Sequence, residues 1–416
     1  MGHRGKSFHY GWFVLFTGFI GVVGSIGFGR FAYTPLLPPM KEALALTYAQ
    51  MGWIGTGNFV GYLSFSLVAG YLATRISPRL VISAGLVLVA ISLILTGLSS
   101  SFEFALITRT LTGIGSAVSN VPIMALAAAW FASKRRGMAS GVLVSGSSAA
   151  LFLMGSLIPY LLETFPGAGW RISWYLLGGL TLGIAALNYL VLRDSPEEKN
   201  LQPVGGPHTL LPSTFSPFSW RQVFSSRPIW HLAGIFFAFG FSYIIYIQFY
   251  SAYLINEAKI SPEKAGEYLM LLGIMNFFCV PLWGTISDFI GRKYGLALVF
   301  LAQGISYLVF GLIKSGPGYL ASTILFGLSG WSIPSIISAA VGDAVGPRVT
   351  PAALGLTIVF MGLGQALSPP LAGKIADLTG SFTSAFLLSA VAAFAGMAAS
   401  LLLRRPPPNS HQGPQH

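Results

Sequence analysis

The chain has 416 residues, 54% of them hydrophobic and only 9% charged, which excludes a soluble core wrapped in a charged shell. A formal net charge of +12 does not mark a nucleic-acid binder here, because the basic residues stand in short breaks between apolar runs and not along one amphipathic face. Cys279 is the single cysteine, so an intrachain disulfide is excluded and the residue reads as a small apolar packing group.

Apolar runs of roughly 20 residues, the length that crosses a bilayer's hydrocarbon as a helix, recur along the chain. Their Gly, Pro and charged punctuation predicts helices at 10–38, 48–73, 79–98, 102–131, 137–162 and 170–192, then at 228–255, 264–287, 294–313, 318–342, 351–373 and 380–403. The bilayer is therefore the expected solvent.

The first run follows Arg4 and Lys6 as a signal peptide would, yet it continues to Tyr33 and is followed by further spans, so it reads as an uncleaved membrane helix. It holds Gly27-Phe-Gly29-Arg30-Phe-Ala-Tyr33-Thr-Pro35. Arg30 lies about 20 residues in, near or above the midplane at 1.5 Å per residue. Pro35 is expected to destabilise the helix one turn later and free carbonyls. A forked cation at that depth suits bidentate capture of a carboxylate; the competing reading is an arginine that snorkels to the outer surface.

The second helix offers Asn58 and Tyr62, and ends in Gly70-Tyr-Leu-Ala-Thr74-Arg75-Ile-Ser-Pro78-Arg79. In the fourth, Arg109, Gly113, Ser116 and Asn120 share one face at helical spacing. An intramembrane arginine costs a few kcal/mol on insertion scales, so Arg109 should face protein, water or a partner. The fifth helix adds Ser145 and Ser148.

Residues 193–227, rich in Pro, Ser and Gly, read as a cytoplasmic linker. It divides an N-terminal six-helix bundle, 1–192, from a C-terminal one, 228–403, and 404–416 read as a disordered tail. The seventh helix presents Tyr243, Tyr246, Tyr250 and Tyr253 with Gln248, a stripe that fits either cavity lining or core packing. Asn276, Trp331 with Ser332, and Gln365 on helices eight, ten and eleven would complete a polar pocket or bridge helices.

With the N-terminus inside, sixteen basic residues fall on the inner connections and six on the outer, which places both termini in the cytoplasm and requires an even number of spans. Gly115 followed by Pro122 in helix four echoes Gly327 followed by Pro334 in helix ten, as expected of duplicated bundles. Glu103, Glu257, Asp288, Asp343 and Asp377 all fall near predicted helix ends, so no carboxylate stands at mid-membrane depth. That favours an anionic solute over an organic cation.

Gly284-Thr-Ile-Ser-Asp288-Phe-Ile-Gly291-Arg292-Lys293, after helix eight, resembles the cytoplasmic loop signature of the major facilitator superfamily. The copy after helix two has Thr74 at the aspartate position. Arg109-Thr-Leu-Thr-Gly113-Ile-Gly115 resembles that family's helix-four motif. The junction Trp130-Phe131-Ala-Ser-Lys134-Arg135-Arg136-Gly137, with Tyr10-Gly11-Trp12, is similar to monocarboxylate and bacterial organic-anion porters. Those porters carry a basic residue in helix eight, where this chain has Asn276 and Cys279, leaving Arg30 to take that role.

The resemblance implies an all-α membrane protein of twelve helices in two pseudo-symmetric bundles, in the inner membrane of a bacterium. It implies rocker-switch transport of a small organic anion, with a proton as candidate co-substrate and uniport, symport and exchange all open. Asp288 and Arg292, with Arg75 and Arg79, would form cytoplasmic latches, and Arg109 would serve packing or proton coupling. Such a protein works as a monomer and needs no cofactor, metal or catalytic residue. The alternatives are an efflux transporter for neutral or cationic solutes and a non-transporting membrane sensor. Gly146 followed by Ser147, in place of the Gly-Pro pair of drug/proton antiporters, counts against drug efflux.

Overall fold

The computed structural model describes residues 9–206 and 223–403. The proline-rich part of the expected linker from 207 to 222, the expected tail 404–416, and Arg4, Lys6, Arg221, Arg404 and Arg405 of the charge bias lie outside the described residues.

Among the described residues, twelve helices of membrane-spanning length run in order: α1 Tyr10–Ala43, α2 Tyr48–Arg75, α3 Pro78–Gly97, α4 Phe102–Trp130, α5 Ser133–Thr164, α6 Gly169–Val191, α7 Arg227–Glu257, α8 Pro262–Ile290, α9 Arg292–Leu312, α10 Gly316–Gly346, α11 Val349–Thr379 and α12 Thr383–Leu401. Eleven of them are apolar enough by composition to cross a membrane. The exception, α2, has 28 residues and length to spare, but its glycines and Asn58 dilute its apolar content.

Capping explains several starts. Thr47 and Gln50 form a reciprocal capping box before α2, and Ser77, Ser101 and Ser315 cap α3, α4 and α10 through their side chains. Between α8 and α9 the turn is a single residue, Gly291 at φ 91°, a left-handed conformation that glycine adopts without a Cβ clash. Most of the loop signature is thus helical, with Gly284–Ile290 completing α8.

Chain contacts define two compact units. The first holds α1–α6 together with Gln248–Ile274; the second holds Thr214–Ile247 and the chain from Met275 onward. In the first, α4 packs against both α2 and α3, and α3 also lies along α6. The α2–α4 approach is close enough that a Cβ on Gly113 would stand 2.0 Å from the Asn58 carbonyl oxygen. In the second, α9 packs against α10 and α12.

Residues 193–206 lie folded against the first unit. Val204 bridges Phe131, its N–H donating to the Trp130 carbonyl at 2.8 Å and its carbonyl accepting from Ala132 N–H at 3.1 Å. Trp130 Nε1 donates to the Arg193 carbonyl at 2.9 Å, tying the start of this strap to the α4–α5 junction.

Helix α1 is irregular where its arginine stands, and here one expectation is corrected. The distortion does not follow Pro35; it precedes it, as a π-helical stretch Val23–Phe31. Pro35 sits in the first turn of the regular helix Tyr33–Ala43, where its missing N–H leaves no hydrogen bond broken. The wider turn coincides with Gly24, Gly27 and Gly29, and Ala32 N–H reaches back five residues to the Gly27 carbonyl at 3.1 Å.

Candidate functional site

The π stretch leaves α1 carbonyls for other helices to satisfy. Ser116 Oγ of α4 donates to the Ser25 carbonyl at 2.6 Å, and Asn58 Nδ2 of α2 donates to the carbonyls of Gly29 and Arg109, both at 3.3 Å. Arg109 Nη2 makes a long 3.5 Å contact to the Arg30 carbonyl. The helix-four face expected from spacing therefore grips α1 around Arg30.

The two arginines differ. Arg109 is fully buried, its Cζ 5.2 Å from the ring centroids of Tyr33 and of Trp174. Arg30 is partly exposed, its Cζ 4.6 Å from the Phe59 centroid and 4.8 Å from that of Tyr62. Nε and Nη2 of Arg30 have no hydrogen-bond partner among the described residues, nor do Nε and Nη1 of Arg109. Ion pairs among the described residues include Lys264–Glu267, Arg292–Asp288 and Arg292–Asp343, and neither Arg30 nor Arg109 meets a carboxylate of a described residue.

Tyr62 accepts a hydrogen bond from Asn120 Nδ2 at 3.1 Å, which joins α1, α2 and α4 through Arg30, Tyr62 and Asn120. Tyr33 is buried and donates to the Met51 carbonyl at 2.8 Å, and Gln248 Nε2 donates to the same carbonyl at 3.3 Å. Ser145 donates back to Val142 within its own helix at 2.7 Å.

In the second unit Gln365 Nε2 donates to Tyr243 Oη at 2.7 Å, and the Tyr243 ring meets Trp331 edge-on at 5.7 Å. Trp331 stands where α10 breaks between Gly327 and Ser332. Carbonyls freed by that break accept from Trp283 Nε1, 2.7 Å from the Leu328 oxygen, and from Gln303 Nε2, 3.1 Å from that of Ser329. Asn276 is buried, and neither of its amide atoms has a hydrogen-bond partner among the described residues. Tyr246, by contrast, sits in an aromatic cluster with Tyr307, Phe310, Phe326 and Phe386 and shares a 2.8 Å hydrogen bond with Ser322 Oγ. Its surroundings are those of a packing residue.

At the α8–α9 turn Arg292 meets Asp288, donates to Ser287 Oγ at 2.8 Å and lies 3.4 Å from Asp343 Oδ2. The α2–α3 turn is different. Arg79 N–H donates to Asp194 Oδ1 at 2.7 Å, its guanidinium stacks 5.2 Å from Tyr189, and Arg75 is exposed over Tyr71 at 5.5 Å. Sequence reading did not single out Phe59, Trp174 or Asp194. An aromatic three or four residues from a flagged polar position was the available signal for Phe59; Trp174 and Asp194 come together with Arg109 and Arg79 only through folding.

No group of three or more metal-ligating side chains occurs among the described residues. The Major Facilitator Superfamily model matches residues 19–338 and 251–416. The chain belongs to the major facilitator superfamily, a family of membrane transporters and not of enzymes, which makes it a multi-pass membrane protein whose ligand is a small solute. It is 26% identical over 399 residues to monocarboxylate transporter 2 of Homo sapiens, covering 90% of this chain and 81% of that one. It is 23% identical over 408 residues to the hexuronate transporter of Bacillus subtilis, covering 94% of each. Its fold matches the crystal structure of a bacterial homologue of the human lysosomal transporter Spinster, with a TM-score of 0.73, 17% identity and 96% of both chains covered.

Proposed function

We propose that this protein carries small organic anions, carboxylates foremost, across the cytoplasmic membrane of a bacterium by alternating access. The observation that carries the reading is Arg30, a partly exposed intramembrane cation with two unpaired donors and no carboxylate among its contacts. A charge left unpaired there is costly, and a bound carboxylate offsets that cost with two charge-assisted hydrogen bonds. Relatives named for monocarboxylates and hexuronates support the same class of solute. Arg109 anchors α1 to α4 behind Arg30. Asp288 and Arg292 act as a latch on the second unit, Arg75 and Arg79 are the weaker counterpart, and both termini lie in the cytoplasm. With no mid-membrane carboxylate to relay a proton, any coupled proton travels on the solute, and the monomer is the working unit.

The test is thermal stabilisation of the purified protein by a panel of carboxylates, sulfonates, sugars and organic cations, repeated with Arg30→Gln. A ligand at about 100 Kd adds roughly 2.7 kcal/mol to a folded state that binds it. Stabilisation by anions that disappears in the variant, followed by anion uptake into proteoliposomes, is the expected result. Stabilisation by cations or sugars that survives the substitution defeats the reading.

A further inference from the structure

We infer that His9 makes the fastening of the strap 193–206 to the start of α1 acid-sensitive: the neutral imidazole closes this clasp and the protonated one opens it. The inference stands on the first unit alone and does not depend on which solute is carried.

His9 is the N-cap of α1, with extended backbone at φ −68° and ψ 130°. Its carbonyl accepts from Trp12 N–H at 3.0 Å, and its Nδ1 accepts from Gly11 N–H at 3.1 Å. On the other edge of the ring, Nε2 lies 2.9 Å from the Gln202 carbonyl of the strap. The two partners fix the state of the ring by their own chemistry. A backbone N–H only donates and a backbone carbonyl only accepts, so both contacts are hydrogen bonds only when Nδ1 is bare and Nε2 carries the proton. One neutral side chain thus caps α1 and holds the strap. The strap also packs on bare backbone here, since a Cβ on Gly11 would stand 2.6 Å from Val204 Cγ2. Its other fastenings lie to either side of Gln202 in the chain: Asp194 with Arg79 N–H before it, and Val204 with Trp130 and Ala132 after it.

A second proton turns Nδ1 into a donor facing the Gly11 donor. The ring is rigid, so swinging Nδ1 away from Gly11 also carries Nε2 off the Gln202 carbonyl, and the two contacts are lost together. The imidazolium would in addition stand at the positive end of α1, and no carboxylate of a described residue pairs with His9 to offset it. The charged groups on the neighbouring described elements have contacts of their own. Lys199 Nζ lies 5.2 Å from the Tyr10 ring centroid, Arg193 donates to the Leu190 and Leu192 carbonyls, and Glu198 accepts from Asp194 N–H. Arg136 Nε donates to the Phe131 carbonyl, the Arg79 guanidinium stacks on Tyr189, and Glu197 and Arg135 are the remaining charges. The clasped state therefore binds fewer protons than the open one, so clasping is favoured as pH rises and lost as it falls. Opening loosens the 201–206 end of the strap, from which the chain runs on towards α7, and leaves the Asp194 end fixed.

Hydrogen–deuterium exchange of the purified full-length protein tests the clasp with no solute present. Exchange of 201–206 is compared between the wild type and His9→Asn at about pH 8 and about pH 5.5, the range over which histidine side chains change charge. Asparagine also caps a helix and does not titrate, so the ratio of wild type to variant cancels the intrinsic effect of pH on exchange. That ratio should rise about fivefold as the pH falls, the change that corresponds to loss of one N-cap bond. His9→Ala, uncapped at every pH, should exchange fast at both. A wild-type to Asn ratio that stays level with pH overturns the inference, as does a His9→Ala protein that exchanges like the wild type at the higher pH. Where a substitution impairs folding, the wild type alone decides: exchange of 201–206 relative to α12, in the second unit, must rise as the pH falls, and a level ratio overturns the clasp.

Discussion

Arg30 and Arg109 carry the same charge within the membrane-spanning part of one unit, and their surroundings separate them. Arg109 is enclosed by the rings of Tyr33 and Trp174 and reaches the α1 backbone, so its guanidinium serves as a structural post between α1 and α4. Arg30 stands on Phe59 and Tyr62 and is partly exposed as a residue, with buried Nε and Nη2 unpaired among the described residues. Position in the sequence does not set the role of an intramembrane cation; what closes around it does.

The comparison is most exposed to failure at Arg30. Arg30→Gln should lower anion uptake by about 100-fold or more, since two charge-assisted bonds to the carboxylate are lost, and should shift the melting temperature little. Arg30→Lys should recover only a small part, because an ammonium does not reproduce the planar fork. Initial rates in proteoliposomes and thermal unfolding in detergent give the two readouts. Arg109→Ala should behave the opposite way, costing about 2 kcal/mol of stability through a lost ring contact and a cavity. If Arg109→Ala melts with the wild type while Arg30→Gln unfolds, the division of labour is reversed.

The positions of the twelve helices were legible because apolar runs bounded by Gly, Pro and charge report the bilayer, and most observed ends fall within about four residues of the expected ones, the exceptions being the ends of α1 at Ala43 and α11 at Thr379. Arg30, Asn58, Tyr62, Arg109 and Asn120 were visible as polar residues in apolar context. Their assembly was not. That Asn58 Nδ2 reaches the Gly29 carbonyl follows from the π stretch in α1, and no local pattern in the chain announces an extra residue per turn. Tyr246 shows the reverse failure. Its spacing placed it in a stripe with Tyr243, yet Tyr243 meets Gln365 and Trp331 while Tyr246 turns into an aromatic cluster. Residues three apart share a helix face broadly and still meet different neighbours.

The α8–α9 and α2–α3 turns extend the comparison at lower energy. At the α8–α9 turn Arg292 holds both Asp288 and Asp343, and all three side chains reach solvent. Asp288→Asn should therefore change uptake by less than about fivefold, the range expected of an exposed ion pair. Asp288→Asn combined with Asp343→Asn should exceed the sum of the two single changes, because either carboxylate alone keeps Arg292 engaged. Strict additivity would mean that Arg292 is not shared.

The smallest effect is expected at the α2–α3 turn, where Thr74 occupies the aspartate position. Its hydroxyl donates to the Tyr71 carbonyl at 2.8 Å, and the charge that position would supply is already present from elsewhere in the chain. Asp194 accepts from the Arg79 backbone N–H in the first turn of α3, where a carboxylate is favoured by the helix dipole and by the unpaired N–H groups. Thr74→Asp in the wild type should then shift stability by no more than about 0.5 kcal/mol, through a pairing with exposed Arg75. Asp194→Ala should cost about 1 kcal/mol, as loss of a helix-start carboxylate does. In that background Thr74→Asp should restore part of the loss if a carboxylate near the start of α3 is what the turn requires. Thermal unfolding of the four proteins closes the cycle: a coupling term near zero would show that Asp194 acts only by holding the strap 193–206, and that Thr74 stands where no charge is needed.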